Sequence, residues 1–222
     1  MEVIMDRYNR QADIVPVHDN SVTIIGIGAI GRQAAIQLTA IGTQKLRFID
    51  FDSVEETNIV TQGYTEQDLG QLKVVATRDF CQKINSNVQI MPVTERFRRS
   101  SDVGEYVFCC VDSIVTRKLI WESIIDRLKE NKIKAFIDAR MSAEVLRVIT
   151  ASSLIPNSIE SYEKTLFTAE EAHVGRCTAK ATIYCANIAA GFMLSSFTKC
   201  LRGIPTESDF VINLLTNELV VQ

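Results

Sequence analysis

Three glycines and an acidic residue could form a nucleotide site in this chain. Gly26, Gly28 and Gly31 make a Gly-x-Gly-x-x-Gly pattern between an apolar stretch and a helical one. Such glycines let backbone N–H groups at a helix N-terminus approach a phosphate. Asp50 follows Gly31 by 19 positions, a spacing at which an acid commonly holds ribose hydroxyls. These residues alone favour an NAD(P)-dependent oxidoreductase, with glycine packing and no ligand as the alternative.

Further charged residues shift the prediction towards ATP. Asp50 and Asp52 are two positions apart on a predicted strand, so they share a face and need a compensating cation or sugar hydroxyls. Lys73 opens a predicted helix, and Asp112 follows a strand whose carboxyl end faces the same crevice. A lysine for phosphates and a carboxylate for Mg²⁺ are what a triphosphate site requires. Two alternatives stay open: Lys73 as a solvated helix residue and Asp112 as a helix N-cap.

The elements that must position these residues alternate between strand and helix. Strands are predicted at 22–25, 45–52, 88–92, 106–111 and 134–139, with helices after the glycine turn, at 73–84 and at 115–132. This alternation predicts a Rossmann-like, doubly wound, mostly parallel α/β sheet. A strand at 144–153, a long apolar helix within 178–203 and a hairpin around Thr216–Asn217 form a C-terminal extension. We expect one domain over 1–222, with an arm at 1–20, a nucleotide-binding core at 21–140 and a C-terminal part at 141–222.

Composition excludes several classes of partner. The formal net charge is −3, which gives no field suited to nucleic acid or an anionic membrane. The charged N-terminal sequence and the absence of a long apolar run predict a cytoplasmic protein. The six cysteines are not accompanied by a signal peptide or a small secreted scaffold, so we expect thiols. They contain no Cys-x-x-Cys pair, so we expect no zinc site.

Five motifs together resemble the ThiF/MoeB and ubiquitin-activating (E1-like) adenylyltransferase family. They are "RYNRQ" at 7–11, "GIGAIG" at 26–31, "IDFDSVEETNIVTQ" at 49–62, "GQLK" at 70–73 and "VDSIVTR" at 111–117. The resemblance implies ATP-dependent adenylation of the C-terminal carboxylate of a ubiquitin-like or sulfur-carrier protein. It also implies ATP and Mg²⁺ as cofactors and carrier binding by the C-terminal part. Transfer to a conjugating enzyme is left open.

The resemblance assigns roles to single residues. Asp50 matches the ribose ligand, Lys73 a phosphate contact and Asp112 the Mg²⁺-associated acid beside the attacking carboxylate. Asn58 matches a phosphate contact, and Arg10 matches an arginine that dimeric relatives insert from the neighbouring subunit. The remaining nucleotide-binding positions are Gly26, Gly28, Gly31, Asp52 and Gln62. A homodimer follows from Arg10, and it is also suggested by the apolar surface of 183–197.

Two features leave alternatives open. The family commonly has Asn-x-x-Arg-Gln, whereas here Thr61 stands at the arginine position. Either Arg140 or another cation compensates, or adenylation is slower, or the chain is a degenerate ATP-binding scaffold. Cys177 follows a turn-like segment, precedes the long helix and neighbours Arg176 and His173, which would favour a thiolate. It is a candidate for thioester formation after adenylation, with a structural cysteine as the alternative.

Overall fold

The computed structural model describes residues 7–16, 18–166 and 181–221. The strands are Ser21–Ile25 (β1), Lys45–Ile49 (β2), Gln89–Val93 (β3), Tyr106–Cys109 (β4), Ala135–Ser142 (β5), Val145–Ala151 (β6), Asp209–Asn213 (β7) and Glu218–Val221 (β8). The α-helices are Ala29–Ala40 (α1), Glu56–Gln62 (α2), Lys73–Ile84 (α3), Ile114–Lys129 (α4), Ser158–Glu163 (α5) and Ile183–Leu201 (α6), and Glu66–Asp68 forms a 3₁₀ turn.

All eight strands form one sheet in the order β3-β2-β1-β4-β5-β6-β7-β8. The five strands from β3 to β5 run parallel, and β6, β7 and β8 continue the sheet antiparallel. The predicted fold class is confirmed. The chain leaves β1 towards β2 on one side and returns to β4 on the other, so the strand order reverses at β1. Open α/β sheets bind ligands in the crevice outside such a reversal.

Apolar side chains cover both faces of the parallel strands. On one face, Ala186, Ala189 and Met193 of α6 pack with α1 against strand residues such as Phe108. On the other, Trp121 of α4 packs against strand and α5 aromatic residues. Burial on both faces explains why "YVFC" of β4 is wholly apolar, as expected for a central parallel strand.

Helix α6 changes one of the expectations. Its apolar residues Cys185, Ala190, Leu194 and Phe197 are buried within the same chain. The apolar surface expected from 183–197 is therefore largely used for internal packing, because α6 lies against α1 and β5. Apolar packing of α6 thus helps to hold the C-terminal part on the sheet, and the homodimer prediction rests on Arg10 alone.

Most predicted elements lie where the sequence placed them. The predicted helix 73–84 is α3, and the predicted terminal hairpin is β7–β8. Helices α2 and α5 were missed because they have only 7 and 6 residues, too few for a clear apolar period. Among the described helices none is long and apolar enough to cross a bilayer.

Candidate functional site

A cavity of about 710 Å³ opens at the carboxyl ends of β1, β2, β4 and β5. It lies at the reversal of strand order, where the fold is expected to bind a ligand. Seven of the predicted site residues line it: Gly26, Gly28, Asp50, Asp52, Gln62, Lys73 and Asp112. The structure thus brings together residues that lie up to 86 positions apart in the sequence.

The three glycines of the turn serve different purposes. A Cβ on Gly31 would lie 1.9 Å from the carbonyl oxygen of Gly26, so Gly31 is needed for close packing of α1 on the turn. Gly26 has φ +88°, a left-handed conformation that favours glycine. Gly28 precedes α1 as its N-cap residue, and a Cβ there would meet only Gln62 Oε1 at 4.0 Å. The space beside Gly28 is therefore open to a ligand at the helix N-terminus.

Alanine at Gly31 and at Gly28 should separate stability from nucleotide binding. Gly31→Ala should lower the free energy of unfolding by about 1–3 kcal/mol or more, because its Cβ meets rigid backbone. Gly28→Ala should change stability by less than about 1 kcal/mol yet weaken ATP binding, because its methyl group fills ligand space. Urea unfolding and ATP titration measure both effects. Equal stability losses in the two variants would contradict these assignments.

The two neighbouring carboxylates are compensated in different ways. Asp50 Oδ2 accepts from Ile27 N at 2.6 Å, and its Oδ1 accepts from Asp52 N at 2.8 Å. Burial raises the pKa of Asp50, although these N–H donors and the charge of Lys73 oppose the rise. Asp52 Oδ2 lies 3.3 Å from Lys73 Nζ. Asp50 thus supports the glycine turn, and it also lines the cavity.

Lys73 is buried, with 9% of its side chain exposed, at the first position of α3. The alternative of a solvated helix residue is therefore wrong. A buried ammonium at a helix N-terminus is electrostatically unfavourable unless anions neutralise it. Asp52 is one such anion, and its side chain is 46% exposed. An anionic ligand in the cavity would be a second anion beside Lys73.

Asp112 is exposed in the cavity, and in the described residues it makes no hydrogen bond or ion pair. The N-cap of α4 is Ser113, whose Oγ accepts from Thr116 N at 3.3 Å. The alternative that Asp112 acts as the cap is therefore wrong. A carboxylate without a structural partner, in a cavity with a buried lysine, suits Mg²⁺ coordination, because Mg²⁺ takes one or two carboxylates together with phosphate oxygens.

Helix α2 carries two predicted site residues, and only one reaches the cavity. Asn58 Oδ1 accepts from Glu55 N at 2.9 Å in a capping box, so these two residues fix the start of α2. Asn58 does not line the cavity. Gln62 does, and its buried Oε1 has no hydrogen-bond partner among the described residues. Gln33 Nε2 donates to the Gln62 carbonyl at 3.1 Å, which fixes this end of α2.

Arg10 and Thr61 lie outside the cavity. Arg10 is exposed in a segment where Gln11 Nε2 donates to the Ile41 carbonyl at 2.9 Å, just after the C-terminal end of α1. The cavity is at the other end of this 12-residue helix, about 18 Å away. Thr61 Oγ1 donates to the Thr57 carbonyl at 2.8 Å, so it takes no phosphate-binding role there.

The five described cysteines are structural. Burial raises the pKa of Cys81 and of Cys200 to about 11 and that of Cys109 to about 12. Burial also raises the pKa of Cys110 and Cys185, so these thiols are protonated at neutral pH. Buried, protonated thiols of this kind pack as small apolar residues. Cys177, His173 and Arg176 lie outside the described residues, so the thioester hypothesis stays a prediction.

Sequence analysis missed a buried charge cluster on the β5 side of the cavity. Asp138 is fully buried, and its carboxylate meets Arg117 Nε at 2.8 Å, Arg140 Nε at 2.9 Å and Tyr162 Oη at 3.1 Å. Asp138 and Arg140 are two positions apart on a strand and so share a face. This spacing could have indicated the cluster from the sequence. Another pair, Arg96 over the Phe51 ring at 4.0 Å, also lines the cavity.

The described residues hold no group of three or more His, Cys, Asp or Glu side chains that could bind a metal by themselves. Asp112 fits a Mg²⁺ that arrives with a triphosphate, since such a site needs few protein ligands. The expectation of no zinc continues to rest on the sequence.

Residues 8–220 match the sequence model of the ThiF family. Molybdopterin-synthase adenylyltransferase of Escherichia coli strain K12 is 30% identical in an alignment of 127 positions that covers 51% of this chain and 51% of the relative. Ubiquitin-like modifier-activating enzyme 5 of Drosophila sechellia is 26% identical over 233 residues, covering 93% of this chain and 56% of the relative. The chain thus spans about half the length of these curated relatives.

Solved structures show the same fold. PaaA has a TM-score of 0.76 at 20% identity, covering 100% of this chain and 74% of the PaaA chain. Escherichia coli MccB in a crystal structure with ATP has a TM-score of 0.74 at 16% identity, covering 98% of this chain and 71% of MccB. At these identities the similarity establishes the arrangement of the backbone.

Proposed function

Because this chain belongs to the ThiF family, we propose that it uses ATP to adenylate the C-terminal carboxylate of a ubiquitin-like or sulfur-carrier protein. Two relatives are named as an adenylyltransferase and as an activating enzyme for a ubiquitin-like modifier. The structural neighbour MccB has been crystallised with ATP. These relatives support ATP as the nucleotide and a protein or peptide tail as the second substrate.

One observation carries the proposal: buried Lys73 and unpaired Asp112 line a single cavity with the open glycine turn. An NAD(P)-dependent oxidoreductase needs the turn and Asp50 but has no use for a buried lysine and a free carboxylate beside the phosphates. A triphosphate with Mg²⁺ uses all of them. The cavity therefore favours ATP over a nicotinamide dinucleotide.

The chain's residues divide the reaction between them. The N-terminus of α1 at Gly28 faces the phosphates, Asp50 holds the ribose and Lys73 neutralises phosphate charge. A carboxylate oxygen of the tail attacks the α-phosphorus, the bond to the bridging oxygen breaks, and pyrophosphate leaves with that electron pair. Mg²⁺, when bound at Asp112, neutralises charge on the phosphate oxygens. Thioester formation at Cys177 would follow as a separate step and would release AMP.

ATP–pyrophosphate exchange tests the proposal. The full chain is incubated with ATP, Mg²⁺ and labelled pyrophosphate, alone and with each member of a panel of ubiquitin-like and sulfur-carrier proteins. Exchange that depends on one carrier is the expected result. ATP binding without exchange for any carrier would favour the scaffold alternative, and NAD(P) binding without ATP binding would favour the oxidoreductase. Cys177→Ala should leave exchange intact, because the thiol acts after adenylation.

A complementation experiment tests whether Arg10 acts in a neighbouring subunit. Arg10 lies far from its own cavity, so a role in catalysis requires a second copy of the chain. Arg10→Ala and Asp112→Asn should each be inactive, and a mixture reassembled from both should recover about one quarter of wild-type exchange. Random reassembly makes half of the dimers mixed, and each mixed dimer has one complete site and one site that lacks both residues. One quarter of all sites is therefore complete. No recovery, or a monomer by sedimentation at micromolar concentration, would contradict this role.

A further inference from the structure

The two ends of the cavity carry different charged groups. Asp50 and Lys73 lie at the β2 side, the glycine turn follows β1, and Asp112 follows β4. Arg140 belongs to β5, the next strand along. Neighbouring strands are about 4.8 Å apart, so β5 lies roughly 10 Å beyond β1 and the glycine turn. A nucleotide whose ribose lies at Asp50 and whose phosphates lie at the glycine turn does not occupy the β5 side of the cavity. That side is then available to the second substrate.

Among the described residues, the ion pairs on the β5 side contain more cations than anions. Arg117 and Arg140 share the carboxylate of Asp138, and both residues line the cavity. In that described cluster, two cations and one anion leave an excess of one positive charge in a partly buried place. An anionic ligand would remove that imbalance at a place where water screens it poorly.

Arg117 is already committed to the protein. Its side chain is 5% exposed, and besides Asp138 it donates from Nη2 to the Val111 carbonyl at 2.6 Å and the Ala139 carbonyl at 3.3 Å. These bonds hold the residue just before Asp112. Arg117 therefore positions the end of β4, and the free capacity of the cluster lies elsewhere.

Arg140 is held in place, and the described residues do not use all of its donors. Its Nε donates to Asp138 Oδ2 at 2.9 Å, while Nη1 and Nη2 donate to the Thr165 carbonyl at 3.0 Å and the Thr165 hydroxyl at 2.8 Å. A guanidinium has five N–H donors, so one on each terminal nitrogen has no partner in the described part of the chain. The side chain is 17% exposed and faces the cavity. A fixed guanidinium with free donors is well suited to bind a carboxylate.

We propose that Arg140 binds the terminal carboxylate of the carrier tail and holds it beside the α-phosphate before adenylation. This inference rests on the proposed function and gives Arg140 a different role from replacing the phosphate-facing arginine missing at Thr61. Thr61 lies at the end of α2, next to Gln62, whose side chain adjoins Gly28 at the glycine turn. Arg140 is two strands away from that turn, on the side that the nucleotide leaves free.

Carrier-dependent exchange separates the two roles of Arg140. The probe is the carrier that supports exchange, at varied carrier and varied ATP concentration. Arg140→Gln should raise the KM for the carrier by about 10- to 100-fold, the usual effect of losing one charge-assisted hydrogen bond, with little change in the KM for ATP. Arg99→Gln is the matched control. It removes the same charge, and Arg99 pairs with Glu122 outside the cavity. Its two KM values should match the wild type.

A binding measurement excludes a purely structural effect. The wild-type protein should bind the native carrier at least about tenfold more tightly than the same carrier with a C-terminal carboxamide. In Arg140→Gln that preference should disappear, which a general loosening of α5 would not produce. An equal rise in both KM values would assign Arg140 to the phosphates and overturn the inference. If no carrier supports exchange with the wild type, the proposed function fails first and this inference with it.

Discussion

Replacing Asp112 with asparagine is expected to lower carrier-dependent ATP–pyrophosphate exchange by about 100-fold or more without changing stability. The carboxylate is exposed in the cavity and has no hydrogen-bond or ion-pair partner in the described chain, so its charge contributes nothing measurable to folding. The start of α4 is capped by Ser113, which the substitution leaves in place. The lost charge would be needed only when Mg²⁺ and ATP are bound.

Two measurements check this result. Exchange is assayed over a range of Mg²⁺ concentrations, and thermal unfolding is followed in the absence of ligands. Asp126→Asn is the matched control, because Asp126 is an exposed acid further along the same helix and lies outside the cavity. It should retain full exchange and full stability. Exchange by Asp112→Asn at more than about a tenth of the wild-type rate would remove Asp112 from the catalytic site.

Asp138→Asn should be the most destabilising of the proposed substitutions. Asp138 is fully buried between Arg117 and Arg140 and also accepts from Tyr162. Removing one charge from a buried cluster leaves the others uncompensated, which costs about 3–5 kcal/mol. For a chain of this size that corresponds to a fall in Tm of roughly 10 °C. Asp102→Asn, which breaks an ion pair with Arg47 where Asp102 is 75% exposed, should cost less than about 1 kcal/mol.

The same substitution should have a defined pH dependence. Burial acts to raise the pKa of Asp138, but Arg117 and Arg140 outweigh it, so its pKa in the folded protein is below the ordinary value. A carboxyl of this kind contributes stability above its unfolded pKa of about 3.9 and loses it as the pH falls through the folded value. The stability difference between wild type and Asp138→Asn should therefore stay constant from about pH 7 to about pH 5 and shrink below about pH 4. A difference that grows on acidification would contradict this account.

Local patterns predicted most of the residues that line the cavity beside the glycine turn. The turn from Gly26 to Gly31 directly follows β1, and Asp50 and Asp52 follow the end of β2. In a parallel sheet the carboxyl ends of neighbouring strands share one edge, so placing the strands also places these side chains. Lys73 was predicted from its place at the start of a helix, and only the structure shows its contact with Asp52.

The structure alone decided which residues are committed to the protein itself. Asn58 is used in a capping box, and Ser113 rather than Asp112 caps α4. Both choices depend on side-chain directions over a few residues, which a motif match does not contain. The burial of α6 against α1 also needed the structure, because these helices are more than 140 residues apart in the chain.

The sequence by itself determined the glycine turn and the alternation of strands with the longer helices, because each depends on neighbours in the chain. The tertiary structure decided the cluster of Arg117, Asp138 and Tyr162, whose members come from a helix, a strand and a second helix. Their pairing follows from the sheet order and from how α4 and α5 pack on it. Such contacts join elements that are far apart in the chain, so the charged cluster on the β5 side of the cavity could be identified only from the tertiary structure.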